Sequence, residues 1–144
     1  MEGRILVIDD VQDDCDLLST MLQREGAQVV TTTSVVDALE RIGREDFDVV
    51  LTDLGMQEIG GLEVCQRVGG MNPNLPVIVV TGEGSMDAAI SAMRAGAYDF
   101  ITKPIDSTLL ALSVARATQH RHLHAEVRRL RDAMKVTGAP DGIG

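Results

Sequence analysis

The feature that most constrains this chain is an alternation. Five short apolar runs, at residues 5–8, 28–31, 49–51, 77–80 and 98–101, are each followed by a longer segment of helical period. Runs with so little polar content have no solvent face, so they read as strands buried on both sides, in a parallel sheet covered by helices. The second and fifth runs are the most interrupted by polar residues, which suits sheet edges. Between them, Leu17, Leu18, Met21 and Leu22 predict one face of a first helix that Gly26 ends. Ser34, with Asp37 three residues on, predicts a capped start for a second helix burying Val35, Leu39 and Ile42. Leu62, Cys65 and Val68 predict a third that stops at Gly69-Gly70. Met86, Ala89, Ile90 and Met93 predict a fourth closed by Gly96, its methionines read as core filling. Strict alternation of strand and helix implies right-handed crossovers and a doubly wound α/β fold. Its functional loops lie at the strand C-termini.

Composition narrows the reading further. A chain of 144 residues suits one compact domain, and with aromatics at 2% its core must be aliphatic. A net charge of −9 argues against direct nucleic-acid binding, which requires concentrated Lys and Arg. Cys15 and Cys65 sit far apart in apolar helical patterns and read as buried free thiols in a reducing compartment. No apolar run approaches membrane-spanning length, and the chain opens on a strand without a basic-then-apolar leader. The expectation is a soluble cytoplasmic protein with no membrane partner.

The fifth helical segment differs from the others. It runs without Gly or Pro from about Ser107 to about Lys135, too long for one covering helix in a domain of this size. Its second half places Leu123, Val127, Leu130 and Met134 at alternating spacings of four and three. The expected organisation is a domain over 1–118, a helical extension over 119–135 that either pairs with a second copy as a short coiled coil or is a solvated tail or linker, and a flexible end over 136–144.

Placing the polar residues on this topology brings three carboxylates together. Asp9 and Asp10 follow the first strand and Asp53 follows the third, and these strands are neighbours in a doubly wound sheet. Crowded carboxylates repel unless a cation relieves them, and oxygen ligands on loops suit Mg²⁺. Thr81 closes the fourth strand with a hydroxyl, and Lys103, before Pro104, adds an ammonium after the fifth. Such a set can transfer a phosphoryl group to a carboxylate: metal and lysine neutralise the equatorial oxygens while the carboxylate attacks in line. Asp53 is the expected nucleophile, with Asp9 and Asp10 as metal ligands.

On these residues the chain resembles the response-regulator receiver family. The family pattern of acid pair, acceptor Asp, Thr or Ser and Lys-Pro is met by Asp9-Asp10, Asp53, Thr81 and Lys103-Pro104, with residues 96–104 particularly characteristic. The resemblance spans roughly residues 4 to 118. It implies a flavodoxin-like sheet ordered 2-1-3-4-5, phosphorylated by a histidine kinase or a small phosphodonor. It further implies that Gly55 lends a backbone carbonyl to Mg²⁺, that Thr81 moves to bond the phosphoryl oxygen, and that Phe100 is the aromatic that turns inward in response. Residues 82–89 and the arginines Arg128, Arg129 and Arg131 look like the receivers of NtrC-type transcription activators. There a helical linker leads to an output ATPase and a DNA-binding module, neither present in this chain. One departure is Gln57, where the family usually has proline after Met56, in a loop that also holds Gly55, Gly60 and Gly61.

Other motifs take plainer readings. Gly82-x-Gly84 lacks a third glycine and reads as a loop. Among His120, His122 and His124 only the outer two share a helical face, and no further ligand completes a tetrahedral site. Tyr98 reads as packing. The phospho-switch reading, not a turnover enzyme, stands beside two alternatives. A Mg²⁺-dependent phosphohydrolase with an Asp nucleophile usually has a second acid two residues on, where this chain has Gly55. A phosphorylation-independent dimeric scaffold would not need the intact acid, threonine and lysine set.

Overall fold

The structure, a computed structural model, describes residues 3–56 and 59–136. Five parallel strands, β1 (Arg4–Ile8), β2 (Gln28–Thr32), β3 (Val49–Thr52), β4 (Val77–Thr81) and β5 (Asp99–Thr102), lie in the order β2-β1-β3-β4-β5. The helices between them are α1 (Gln12–Arg24), α2 (Val35–Arg44), α3 (Gly61–Met71) and α4 (Met86–Arg94), and α5 (Ser107–Val136) follows β5. The doubly wound sheet and its order match the expectation, with the two more polar strands at the edges.

Alternation along the strands divides the core in two. Leu6, Ile8, Val50, Val77 and Val79 meet α2 and α3 through Val35, Ala38, Ile42, Val64, Cys65 and Val68. Ile5, Val7, Val49, Leu51, Ile78 and Val80 face the other way, onto Leu18 and Leu22 of α1 and Leu110, Val114 and Ala117 of α5. Successive side chains of a strand point to opposite faces, so a run apolar throughout feeds both clusters at once. Both cysteines are buried, and burial pushes each thiol up to about 11.

Three helices differ from the sequence reading, two in their buried face and one in where it ends. In α1 Leu17 is exposed and Cys15 takes its place beside Leu18 and Leu22. Helix α3 does not stop at Gly69-Gly70 but runs through both to Met71. Glycine weakens a helix by roughly 1 kcal/mol, whereas Pro73 forces Asn72 into extended backbone (φ −151°) and ends it. In α4 the stripe of Met86, Ile90 and Met93 faces solvent, Met86 at 76% exposure, and Ala88 and Ala92 are the buried side. Small side chains let this helix approach its neighbours closely and turn the bulky ones outward, so these methionines fill no core. Ser34 caps α2 as expected, its hydroxyl accepting from the Asp37 N–H at 3.2 Å.

Helix α5 is a single element of 30 residues, about 45 Å long at 1.5 Å per residue. Leu110, Val114 and Ala117 anchor its first half on the sheet. From His122 to Met134 every side chain is exposed, Leu123, Val127 and Leu130 among them. Gln57 and residues 137–144, the expected loosened loop and most of the flexible end, lie outside the described residues.

Candidate functional site

Register places the site. Ile8 of β1 pairs with Thr52 of β3, so Asp9 and Asp53 leave the sheet side by side, and the Asp53 N–H donates to the Ile8 carbonyl at 3.1 Å. Asp9, Asp10 and Asp53 each present a carboxylate oxygen, all within 4.8 Å of one another. Asp9 is buried at 1% exposure, Asp53 is half-buried and Asp10 is exposed. Burial pushes the Asp9 carboxyl above the usual carboxylate range, partly offset by the Val11 N–H at 3.0 Å and by Lys103.

Lys103 enters from the far side of the crevice. Its N–H donates to the Thr81 carbonyl at 2.8 Å, continuing the β4–β5 ladder just past the strand ends. Its Nζ donates to Asp9 Oδ2 at 3.1 Å and to Asp14 Oδ2 at 3.0 Å, with Asp53 Oδ1 at 3.9 Å. Burial works against the ammonium charge, but the bonds to Asp14 and Asp9 prevail and raise its pKa. Two carboxylates thus hold the ammonium that the sequence places after the fifth strand. The Lys103–Pro104 peptide bond is cis.

Asp14 is the site residue the sequence reading missed. It stands in the first turn of α1, where acids are ordinary because they complement the helix dipole. The available signal was positional: α1 starts three residues after Asp9, so its first turn overlooks the same crevice. Gly61 was noted only as part of a glycine-rich loop, yet a Cβ there would lie 2.3 Å from the Asp53 carbonyl oxygen and 2.9 Å from Leu54 Cα. The first residue of α3 is therefore held to glycine by the backbone of Asp53 itself. Cys15 Sγ donates to the Asp9 carbonyl at 3.4 Å, and the Thr52 hydroxyl to the Asp53 carbonyl at 3.0 Å.

The other expected residues are distributed around this centre. Thr81 is buried at 3% exposure, and its hydroxyl oxygen accepts from the Glu83 N–H at 3.2 Å. Gly55 is exposed in the loop after Asp53. Phe100, on the edge strand, is half-buried against the first core cluster and lines a cavity of 320 Å³ with Leu109, Leu112 and Arg116. The histidines stay apart from the crevice: the rings of His120 and His124 lie 4.3 Å apart, His120 also meets Tyr98, and His122 binds Asp48 at 3.0 Å. Among the described residues Asp9, Asp10 and Asp53 are the one group of three or more side chains that could hold a metal ion together.

Acids gathered around one lysine at the ends of parallel strands form the candidate site, and comparison with known proteins gives the class of the domain. The response regulator receiver domain matches residues 5–115, and the chain belongs to that family. It is 35% identical over 119 residues to the transcriptional regulatory protein ZraR of Klebsiella oxytoca, covering 83% of this chain and 27% of that protein. The crystal structure of NtrX from Brucella abortus superposes with a TM-score of 0.83 at 36% identity, covering 91% of this chain and 30% of that one. The beryllofluoride-activated NtrC4 receiver domain dimer matches with a TM-score of 0.77 at 31% identity, over 82% of this chain and 98% of that one. The chain is thus a receiver domain of the NtrC type, and it spans about a quarter of the length of the curated relatives it matches.

Proposed function

We propose that Asp53 accepts the phosphoryl group, with Asp9 and Asp10 holding Mg²⁺ and Lys103 neutralising charge on the acceptor side. The carrying observation is Lys103 Nζ, which lies within 3.9 Å of carboxylates from three different parts of the chain: Asp9, Asp14 and Asp53. Asp9, Asp10 and Asp53 suit a hard divalent cation, since they offer oxygen ligands at one point and leave room for water and phosphate oxygens. When bound, Mg²⁺ supplies Lewis-acid stabilisation of the transferring group. The Gly55 carbonyl, in the loop after Asp53, is assigned as a further ligand.

Each residue then has a task. Asp53 Oδ attacks phosphorus in line as the bond to the donor breaks, the leaving atom being the imidazole nitrogen of a phosphohistidine or the carboxylate oxygen of an acyl phosphate, and an aspartyl phosphate forms. Lys103 stays protonated through its carboxylate bonds and faces the new charge. Thr81 exchanges its bond from the Glu83 N–H for one to a phosphoryl oxygen, freeing the start of the β4–α4 loop. Phe100 turns inward as that loop shifts, which couples the site to the α4–β5–α5 surface. This is a two-state switch whose populations phosphorylation biases, not a turnover enzyme.

The phosphodonor is a histidine kinase or a small acyl phosphate, in the cytoplasm; no helix among the described residues is long and apolar enough to cross a membrane. In a longer protein α5 would lead into an ATPase or DNA-binding output module. Homodimerisation through α5 fits the apolar row it exposes, and a dimer is named for the NtrC4 receiver. Incubation with Mg²⁺ and a small acyl phosphate is expected to add one phosphoryl group by intact mass, and Asp53→Asn to abolish it. Uptake that persists in that variant would remove Asp53 from the role; steady phosphate release at enzyme-like rates would favour a hydrolase.

A further inference from the structure

The ammonium of Lys103 is shared unequally among the acids around it. It has three protons to donate. One goes to Asp9 Oδ2 at 3.1 Å and one to Asp14 Oδ2 at 3.0 Å, while Asp53 Oδ1, at 3.9 Å, lies beyond hydrogen-bond reach. The cation that serves the acceptor is therefore bonded to two other acids and not to the acceptor itself.

Those two acids differ in what they can give up. The Asp9 side chain is 2% exposed, its Oδ1 takes the Val11 N–H, and it belongs to the group that suits Mg²⁺. The Asp14 side chain is 36% exposed, and its carboxylate makes no other hydrogen bond or ion pair among the described residues. A single bond from a partly exposed carboxylate exchanges for water at little cost. Asp14 is thus the partner that lets go when a more highly charged group arrives, and a phosphoryl group carries up to about two negative charges at neutral pH. Until then its bond keeps the ammonium short of Asp53, and its own charge opposes the incoming group. Asp13 stands in the same first turn of α1 and complements the same dipole, but forms no ion pair among the described residues. The helix end alone does not account for the bond from Asp14 to Lys103.

Resting on the proposed role of Asp53 as acceptor, we infer that Asp14 is a positioning residue that holds Lys103 back from Asp53 and competes with the phosphoryl oxygens for its ammonium. It sets how readily the switch is thrown. Without it, Lys103 keeps its bond to Asp9 and turns the freed proton toward Asp53. No proton changes hands: the lysine is an ammonium before and after, and Asp14 passes from an ion pair to water.

The test uses the full chain at saturating Mg²⁺ and two readouts. One is the rate of phosphoryl uptake from a small acyl phosphate by intact mass. The other is the half-saturating concentration of beryllofluoride, which activates the NtrC4 receiver. Asp14→Asn is expected to take up phosphoryl roughly threefold to fivefold faster and to saturate at correspondingly less beryllofluoride. Asp14→Ala should move both readouts the same way, so the result does not hang on the new amide. Asp13→Asn makes the same change in net charge and is expected to stay near wild type. Unchanged or slower uptake in both Asp14 variants is what a merely structural role for Asp14 gives, and overturns the inference. Equal acceleration by Asp13→Asn overturns it too, by assigning the effect to overall charge. A wild-type chain that takes up nothing, or uptake that persists in Asp53→Asn, instead removes the acceptor reading on which the inference rests.

Discussion

The strand ends and the far half of α5 are held together in opposite ways. At the strand ends, bonds span most of the chain: Lys103 to Asp9 and Asp14, the Asp53 N–H to Ile8, and the Lys103 N–H to Thr81. In the far half of α5 His122 reaches Asp48, and the ion pair of Glu126 with Arg129 is local and exposed. The first region is over-determined by the fold, so its geometry is fixed by bonds from several elements. The second carries an apolar row that is exposed on the single chain. A phospho-switch requires both kinds of region: a rigid place to receive the signal, and a surface whose partner decides its meaning.

Substitution separates the two regions most sharply. Gly61→Ala sets a methyl 2.3 Å from the Asp53 carbonyl oxygen, and overpacking of this kind costs about 1–3 kcal/mol. The midpoint of chemical unfolding should fall accordingly, with slower phosphorylation because the backbone of Asp53 must shift. Leu130→Ala, on the exposed row, should change the stability of the single chain by less than about 0.5 kcal/mol at protein concentrations too low for pairing. A tolerant Gly61 or a critical Leu130 in the monomer would break the contrast.

A smaller effect concerns charge stored at the site. Burial holds the Asp9 carboxyl above its unfolded value. The folded state is therefore favoured while Asp9 is protonated, and that advantage is lost as pH rises through its folded pKa. At neutral pH, without Mg²⁺, ionised Asp9 thus works against folding. Asp9→Asn should melt higher than wild type near pH 7 in chelator, the gap narrowing as pH is lowered. Added Mg²⁺ should raise the wild-type melting temperature and leave that of the variant nearly unchanged. A variant that melts lower at neutral pH would mean the bond from Lys103 outweighs burial.

How far the sequence carried this account follows the same division. The doubly wound sheet was legible because five buried runs alternate with helical periods, and Asp9, Asp53, Thr81 and Lys103 were legible because each ends a strand. Asp14 was not, since an acid in a first helical turn already has an ordinary reason to be there. Gly61 was not, because a close approach to the Asp53 backbone leaves no mark on hydropathy. The faces of α1 and α4 went astray for a related reason. Periodicity finds an apolar stripe, but Cys15 and the alanines Ala88 and Ala92 show that small residues can take the buried side and send Leu17, Met86 and Met93 outward.

The most direct test of the division compares the full chain with one ending at Thr118, measuring phosphoryl uptake by intact mass and self-association by sedimentation velocity. Both should take up one phosphoryl group from acyl phosphate with Mg²⁺, at similar rates, and only the full chain should associate. Loss of uptake in the shorter chain, or equal association of the two, would contradict a preset site joined to a partner-completed helix.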